Sequence, residues 1–286
     1  MQFNPTQLAG LPFFARIGAF LGLLGLVWLP FAGLIAWQIE DANTVTILAM
    51  SLLFVEFLFF LRWWGHRVHR IPQVFAHYGL VRSPKNGAEF AWGLGLGLGV
   101  LGVMFGVQGW LGWLTWQPSE TWLRFLVEGL LVGLGTALAE ELVFRGWILD
   151  ELQRDFKPAI ARWGSAIAYS VLHFIKPLNE VLVLLPQFFG LWLLGMVLVW
   201  AKTATQRLGL PIGIHAGFVW GYYLIAVGKL VRYTGQVPDW VTGLHNNPLA
   251  GLMGLVFLFG LAIYLRRYAL TQAKAEPATL QSNTLH

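Results

Sequence analysis

Apolar residues run in long stretches along most of the chain, broken by short polar clusters, and the stretches outlast the face of an amphipathic helix or a strand. A helix needs about 18 or more predominantly apolar residues to cross a roughly 30 Å hydrocarbon core. The pattern predicts about eight such spans, at 17–38, 44–62, 88–114, 124–149, 158–175, 181–201, 211–228 and 249–268. In lipid every backbone N–H and C=O must be satisfied within the protein, so the expected architecture is all-α, a polytopic transmembrane helical bundle. The opening MQFNPTQLAG has no basic region and leads into an apolar run too long for a signal-peptide core, so no cleavage is expected. From about Gln272 the chain turns polar, carries Pro277 and loses its apolar period, which reads as a disordered tail over 271–286.

The polar clusters carry the orientation. Arg62, Arg67, Arg70, Arg82 and Lys85 follow the second span, whereas Glu40 and Asp41 precede it. Cytoplasmic loops hold the excess of lysine and arginine, so the basic loop is cytosolic. The same orientation places Lys202, Arg207, Arg266, Arg267 and Lys274 on that side, and both termini with them. The net charge of +5 is spread over these loops, where it suits anionic lipid; no nucleic-acid partner is expected. The chain has no cysteine, which excludes disulfides, thiolate metal sites and a cysteine nucleophile.

Other features read as structural. Gly97, Gly99 and Gly102 have the G-x-G-x-x-G spacing but lie inside a span, without the strand that a dinucleotide site requires. Gly95 and Gly99, like Gly102 and Gly106, are four apart and suit close helix packing. Trp63, Trp64, Trp113 and Trp116 sit near span ends, as interfacial anchors do. His66, Arg67, His69 and Arg70 read as a solvated cytosolic loop.

The fourth span breaks the apolar rule with AEELVFRG, residues 139–146. Each ionised side chain near the bilayer centre costs about 2.5–3.5 kcal/mol, so Glu140, Glu141 and Arg145 unpaired would cost on the order of 7–10 kcal/mol. Glu141 and Arg145 share a face four residues apart, acid before base, the favourable order for a helical ion pair. Glu140 points about 100° away and needs water or a partner from another helix. Of the histidines, His173 and His215 alone lie in predicted spans. Imidazole can pair with a carboxylate, take a proton or bind a metal, so one shared polar site explains these residues better than several isolated ones. Counting along the helices puts Glu140 and His173 deep and His215 shallower, a mismatch that longer helices or a water-filled cavity would absorb.

Glu140-Glu141-x-x-x-Arg145, then Tyr169 to His173, then His215 in LGLPIGIHAG, resembles the core of the CPBP intramembrane protease family, which includes the type II CAAX prenyl endopeptidases and the Abi bacteriocin-immunity proteins. The likeness covers roughly 124–222, between N-terminal transmembrane helices over 1–120 and a C-terminal helical region over 223–270. The resemblance implies intramembrane hydrolysis of a peptide bond in a membrane-associated peptide or protein. Glu140 would activate water, His173 and His215 would complete the site, and Glu141, Arg145 and Tyr169 would support it. Arg145 would pair with Glu141 and leave Glu140 free for acid–base work. The histidines would polarise the scissile carbonyl or its oxyanion, or would join Glu140 as a two-histidine, one-carboxylate zinc set. No H-E-x-x-H occurs in the chain, and metal-free catalysis is the preferred expectation.

There are two departures. Val219 stands where the family has Asn or Asp four residues after the histidine, and Tyr169 where phenylalanine is usual. The valine keeps a second reading open: a pseudoprotease that binds membrane partners, or a proton-coupled transporter, although no internal repeat of the transporter kind is seen.

Overall fold

The computed structural model describes residues 4–118 and 121–282. After a short 3₁₀ turn at Pro5–Gly10 come α1 (Phe13–Gln38), α2 (Ala42–Arg67), α3 (Val74–His77), α4 (Pro84–Trp110), β1 (Leu114–Trp116) and α5 (Trp122–Glu141). A π-helical turn, Leu142–Ile148, joins α5 to α6 (Leu149–Asp155). Then follow α7 (Pro158–Leu172), α8 (Leu178–Leu184), α9 (Gln187–Thr205), α10 (Gly209–Ala226), β2 (Val231–Tyr233), α11 (Asp239–Thr242) and α12 (Leu252–Ser282). The chain is an all-helical, multi-pass membrane protein.

Seven helices among the described residues are long and apolar enough to cross a membrane, with α5, the π turn and α6 counting as one. The expected span at 158–175 is the exception: α7 has 15 residues, about 22 Å of helix. The span expected at 181–201 divides into α8 and α9 around Pro186, which has no N–H for a helical hydrogen bond. Polar residues set the starts of helices. Asp41 accepts from the Thr44 N–H at 2.7 Å to cap α2, and Ser83 caps α4 ahead of Pro84. Helical backbone in α12 continues to Ser282, across the stretch read in the sequence as a tail, and residues 283–286 lie outside the described ones.

The chain divides into two compact units. The first comprises the chain up to Tyr78 together with Asp150–Phe156. Its centre is a buried ionic cluster. Arg16 donates to Glu151 Oε2 at 2.7 Å and to the Glu151 carbonyl at 3.0 Å. Trp64 Nε1 donates to Glu151 Oε1 at 2.9 Å, and His69 Nε2 lies 2.7 Å from the same oxygen. The expectation of an interfacial Trp64 and a solvated His69 is therefore corrected. Trp64 is fully buried and the His69 side chain nearly so, because a carboxylate in an apolar interior needs donors and these two supply them.

The second unit comprises Gly79–Leu149 and the chain from Lys157 onward. Its frame is α10, flanked by α4 and α5. A Cβ on Gly93 would stand 2.4 Å from the Leu210 carbonyl oxygen, one on Gly97 2.4 Å from that of Ile214, and one on Gly213 2.1 Å from that of Phe90. Positions advance together along both helices, so α4 and α10 run parallel with their backbones in contact. The glycines expected to do this, Gly95, Gly99, Gly102 and Gly106, face open space instead. Helix α5 runs antiparallel to α10: Gly133 meets Ala216 and Trp220, and Gly129 meets Trp220 and Tyr223. Strands β1 and β2, which follow α4 and α10, pair antiparallel with Leu114 opposite Tyr233.

Candidate functional site

Glu140 and Glu141 are the last residues of α5, and the π turn starts at Leu142. A π turn shifts the helical hydrogen bond from i→i+4 to i→i+5 and often marks a functional segment. The Phe144 carbonyl inside it accepts from Ser165 Oγ of α7 at 2.9 Å, which keeps that buried group satisfied.

The ion pair expected from the spacing is present. Arg145 donates to Glu141 Oε1 at 2.9 Å, and both side chains are fully buried. Arg145 also donates to the Gly195 carbonyl at 3.2 Å and lies 4.4 Å from the Tyr169 ring centroid, a cation–π contact. Glu141 has a second partner that the sequence did not reveal: His215 Nδ1, 2.8 Å from the same oxygen.

These contacts place a hydrogen on each Nδ1. A carboxylate only accepts, so His215 Nδ1 carries the hydrogen it shares with Glu141. His173 stands at the C-terminal cap of α7, and its Nδ1 donates to the Tyr169 carbonyl at 2.7 Å. In the neutral ring, each Nε2 is then the lone-pair nitrogen. Both Nε2 atoms face Glu140 Oε2, each at 3.8 Å. That is too long for a direct hydrogen bond, and Glu140 Oε2 is buried with no hydrogen-bond partner among the described residues. The expected difference in depth does not keep the three residues apart.

The Tyr169 ring packs 4.5 Å from that of His173 and 6.1 Å, edge-on, from that of His215. Its neighbours are the whole set: both histidines, Arg145 and Glu140. Glu140, His173, His215, Tyr169, Thr136 and Val219 all line one cavity of about 420 Å³. The rest of its wall is largely apolar, with Leu101, Met104, Leu191, Phe218 and Phe257 among its members. Glu140 and His173 are about a quarter to a third exposed, whereas His215 is nearly closed off.

Two imidazoles and a carboxylate are ligand types that zinc accepts, and Nδ1 hydrogen bonds commonly orient metal-binding histidines. The spacing here is wider than a bound zinc sets. Ligand atoms at about 2.0–2.1 Å from a tetrahedral zinc stand roughly 3.4 Å apart, whereas Glu140 Oε2 lies 3.8 Å from each Nε2. Among the described residues no group of three His, Cys, Asp or Glu is arranged to hold a metal ion.

Comparison with protein families matches residues 118–221 to the type II CAAX prenyl endopeptidase Rce1-like family. This is the family type that the motif resemblance indicated, and the matched segment contains every residue of the site: Thr136, Glu140, Glu141, Arg145, Tyr169, His173, His215 and Val219. Comparison with curated proteins and with solved structures returned no match.

Proposed function

We propose, from the likeness of residues 118–221 to type II CAAX prenyl endopeptidases, that this protein hydrolyses a peptide bond in a membrane-associated substrate, with Glu140 as the base that activates water. The observation that carries the reading is the meeting of both Nε2 lone pairs at the unpartnered Glu140 oxygen, inside an apolar cavity. A water within hydrogen-bond reach of both Glu140 Oε2 and an Nε2 3.8 Å away would bridge the two groups.

The water donates one hydrogen to Glu140 and the other to an imidazole Nε2, which leaves an oxygen lone pair for the scissile carbonyl. As the C–O bond forms, Glu140 takes the proton; as the C–N bond breaks, it returns that proton to the departing amine. The committed Nδ1 atoms favour this water-holding role over direct polarisation of the carbonyl, because a neutral Nε2 accepts and does not donate. Glu141 holds His215 Nδ1 in place, and Arg145 balances the charge of Glu141. No step is routed through a metal.

The apolar cavity suits a lipidated or otherwise apolar peptide, and a prenylated C-terminal peptide is the class that the family likeness indicates. The topology proposed is cytosolic at both termini. It is supported by the basic loops and by the parallel course of α4 and α10, which requires the short α7 to count as a crossing.

The test is cleavage by purified protein of a library of membrane-associated peptides, farnesylated C-terminal peptides included, read by mass spectrometry. Glu140→Gln keeps the shape and removes the base; the expected loss is about 10²–10⁴-fold in kcat with an unchanged melting temperature. Full activity in that variant sinks the assignment. A parent protein that binds such peptides and cuts none favours the partner-binding reading, for which Val219 is the sequence feature.

A further inference from the structure

The proposed reaction puts negative charge on the scissile carbonyl oxygen, and something must donate a hydrogen bond to it. With both Nδ1 hydrogens committed, neither neutral histidine offers an N–H to the cavity. Val219, one turn beyond His215, presents methyl groups. A donor is needed from another wall.

Helix α5 supplies one. Thr136 lies one turn before Glu140, on the same face and on the lining of the same cavity. Because α5 and α10 run antiparallel, the step from Glu140 back to Thr136 and the step from His215 on to Val219 lead in the same direction. By the register of Gly133 against Ala216 and Trp220, Thr136 stands level with His215, and Val219 lies about one turn further along the same cavity wall.

A threonine within a helix usually donates its hydroxyl to the carbonyl one turn back. Thr46, Thr203, Thr205, Ser170 and Thr271 do so here, at 2.8 to 3.2 Å. Thr136 makes no such bond among the described residues, and it lines the cavity. Of the other hydroxyls on this cavity, Tyr222 donates to the Asn246 carbonyl, Tyr223 donates to Glu128, and Tyr169 lies beside Glu140.

We propose that Thr136 is a catalytic residue: its hydroxyl donates to the oxyanion of the tetrahedral intermediate, the task that Val219 cannot perform. The inference rests on the endopeptidase reading. In the step concerned, the water oxygen bonds to the carbonyl carbon, its proton passes to Glu140, and the carbonyl π pair becomes the oxyanion lone pair that Thr136 stabilises. Collapse expels the amine, which takes the proton from Glu140, and the Thr136 hydrogen bond relaxes with the charge.

The experiment compares Thr136→Val, which keeps the volume and removes the hydroxyl, with Thr136→Ser, which keeps the hydroxyl. The probe is a farnesylated C-terminal peptide, together with its phosphinic analogue, whose tetrahedral P–O⁻ imitates the oxyanion. Thr136→Val is expected to lower kcat about 10²–10³-fold with KM nearly unchanged, and to weaken phosphinate binding at least tenfold. Thr136→Ser is expected to retain kcat within a few-fold, a rescue that a packing role for the methyl groups does not give. Equal kcat and equal phosphinate affinity in the parent and Thr136→Val, with Glu140→Gln inactive, overturns the Thr136 assignment and leaves the endopeptidase reading standing. A parent that neither cuts the peptide nor binds the phosphinate overturns both.

Discussion

Glu140 and Glu141 are neighbours in the chain with opposite surroundings. Glu141 is fully buried and accepts from Arg145 and His215 through one oxygen, whereas Glu140 borders the cavity with an unpartnered oxygen. Replacing Glu141 by Gln leaves Arg145 as a buried cation without its counter-charge, a loss of about 3–5 kcal/mol. It also offers His215 Nδ1 an amide in place of a carboxylate and so loosens the tautomer. The expected outcome is a large drop in melting temperature in detergent together with loss of activity, whereas Glu140→Gln loses activity at an unchanged melting temperature. An unchanged melting temperature for Glu141→Gln would show that the two acids are not divided in this way. The Glu141–Arg145 pair was readable from an i, i+4 spacing because a helix brings such positions together whatever surrounds it. The His215–Glu141 bond, between residues 74 apart, was not, because no local rule selects between two adjacent carboxylates.

At the scale of the helix, the seam between α4 and α10 shows where pattern reading stops. Glycines four apart occur on more than one face of α4, and spacing alone does not say which face meets a neighbour. The structure uses Gly93 and Gly97 and leaves Gly95 and Gly99 open. Gly97→Ala forces a methyl within 2.4 Å of the Ile214 carbonyl oxygen, a backbone atom that cannot swing aside. The expected loss is about 1–3 kcal/mol of stability, with activity falling as α10 and His215 move. Gly99→Ala, on the open face, is expected to change neither. Equal melting curves for the two variants would refute the close contact. The π turn after Glu141 is likewise tertiary in origin, for its Phe144 carbonyl is satisfied by Ser165, a residue of another helix.

At the scale of the whole chain, the first unit is closed by a segment distant in sequence, residues 150–156. Glu151 is held there by Arg16, Trp64 and His69, with Asp155 sharing the guanidinium at 3.1 Å. Glu151→Gln keeps the shape but strips Arg16 of its closest counter-charge, and a destabilisation of about 3–5 kcal/mol is expected. It should register as a lower melting temperature and faster proteolysis of the loops between Gln38 and Val74. Parent-like resistance to protease would mean that the cluster contributes little to holding the unit together.

Membrane class, all-helical architecture, most span positions and the residues that gather at the cavity followed from the sequence alone. The reason is that lipid makes length and polarity decisive: a helix is long and apolar enough to span or it is not, and a charge within it must find a partner. Which partner it finds is a different matter. The glycine face that meets α10, the burial of Trp64 and His69 around Glu151, and the pairing of His215 with Glu141 depend on which helices come to lie side by side. That is set by the summed packing of residues far apart in the chain, and no window of sequence contains it.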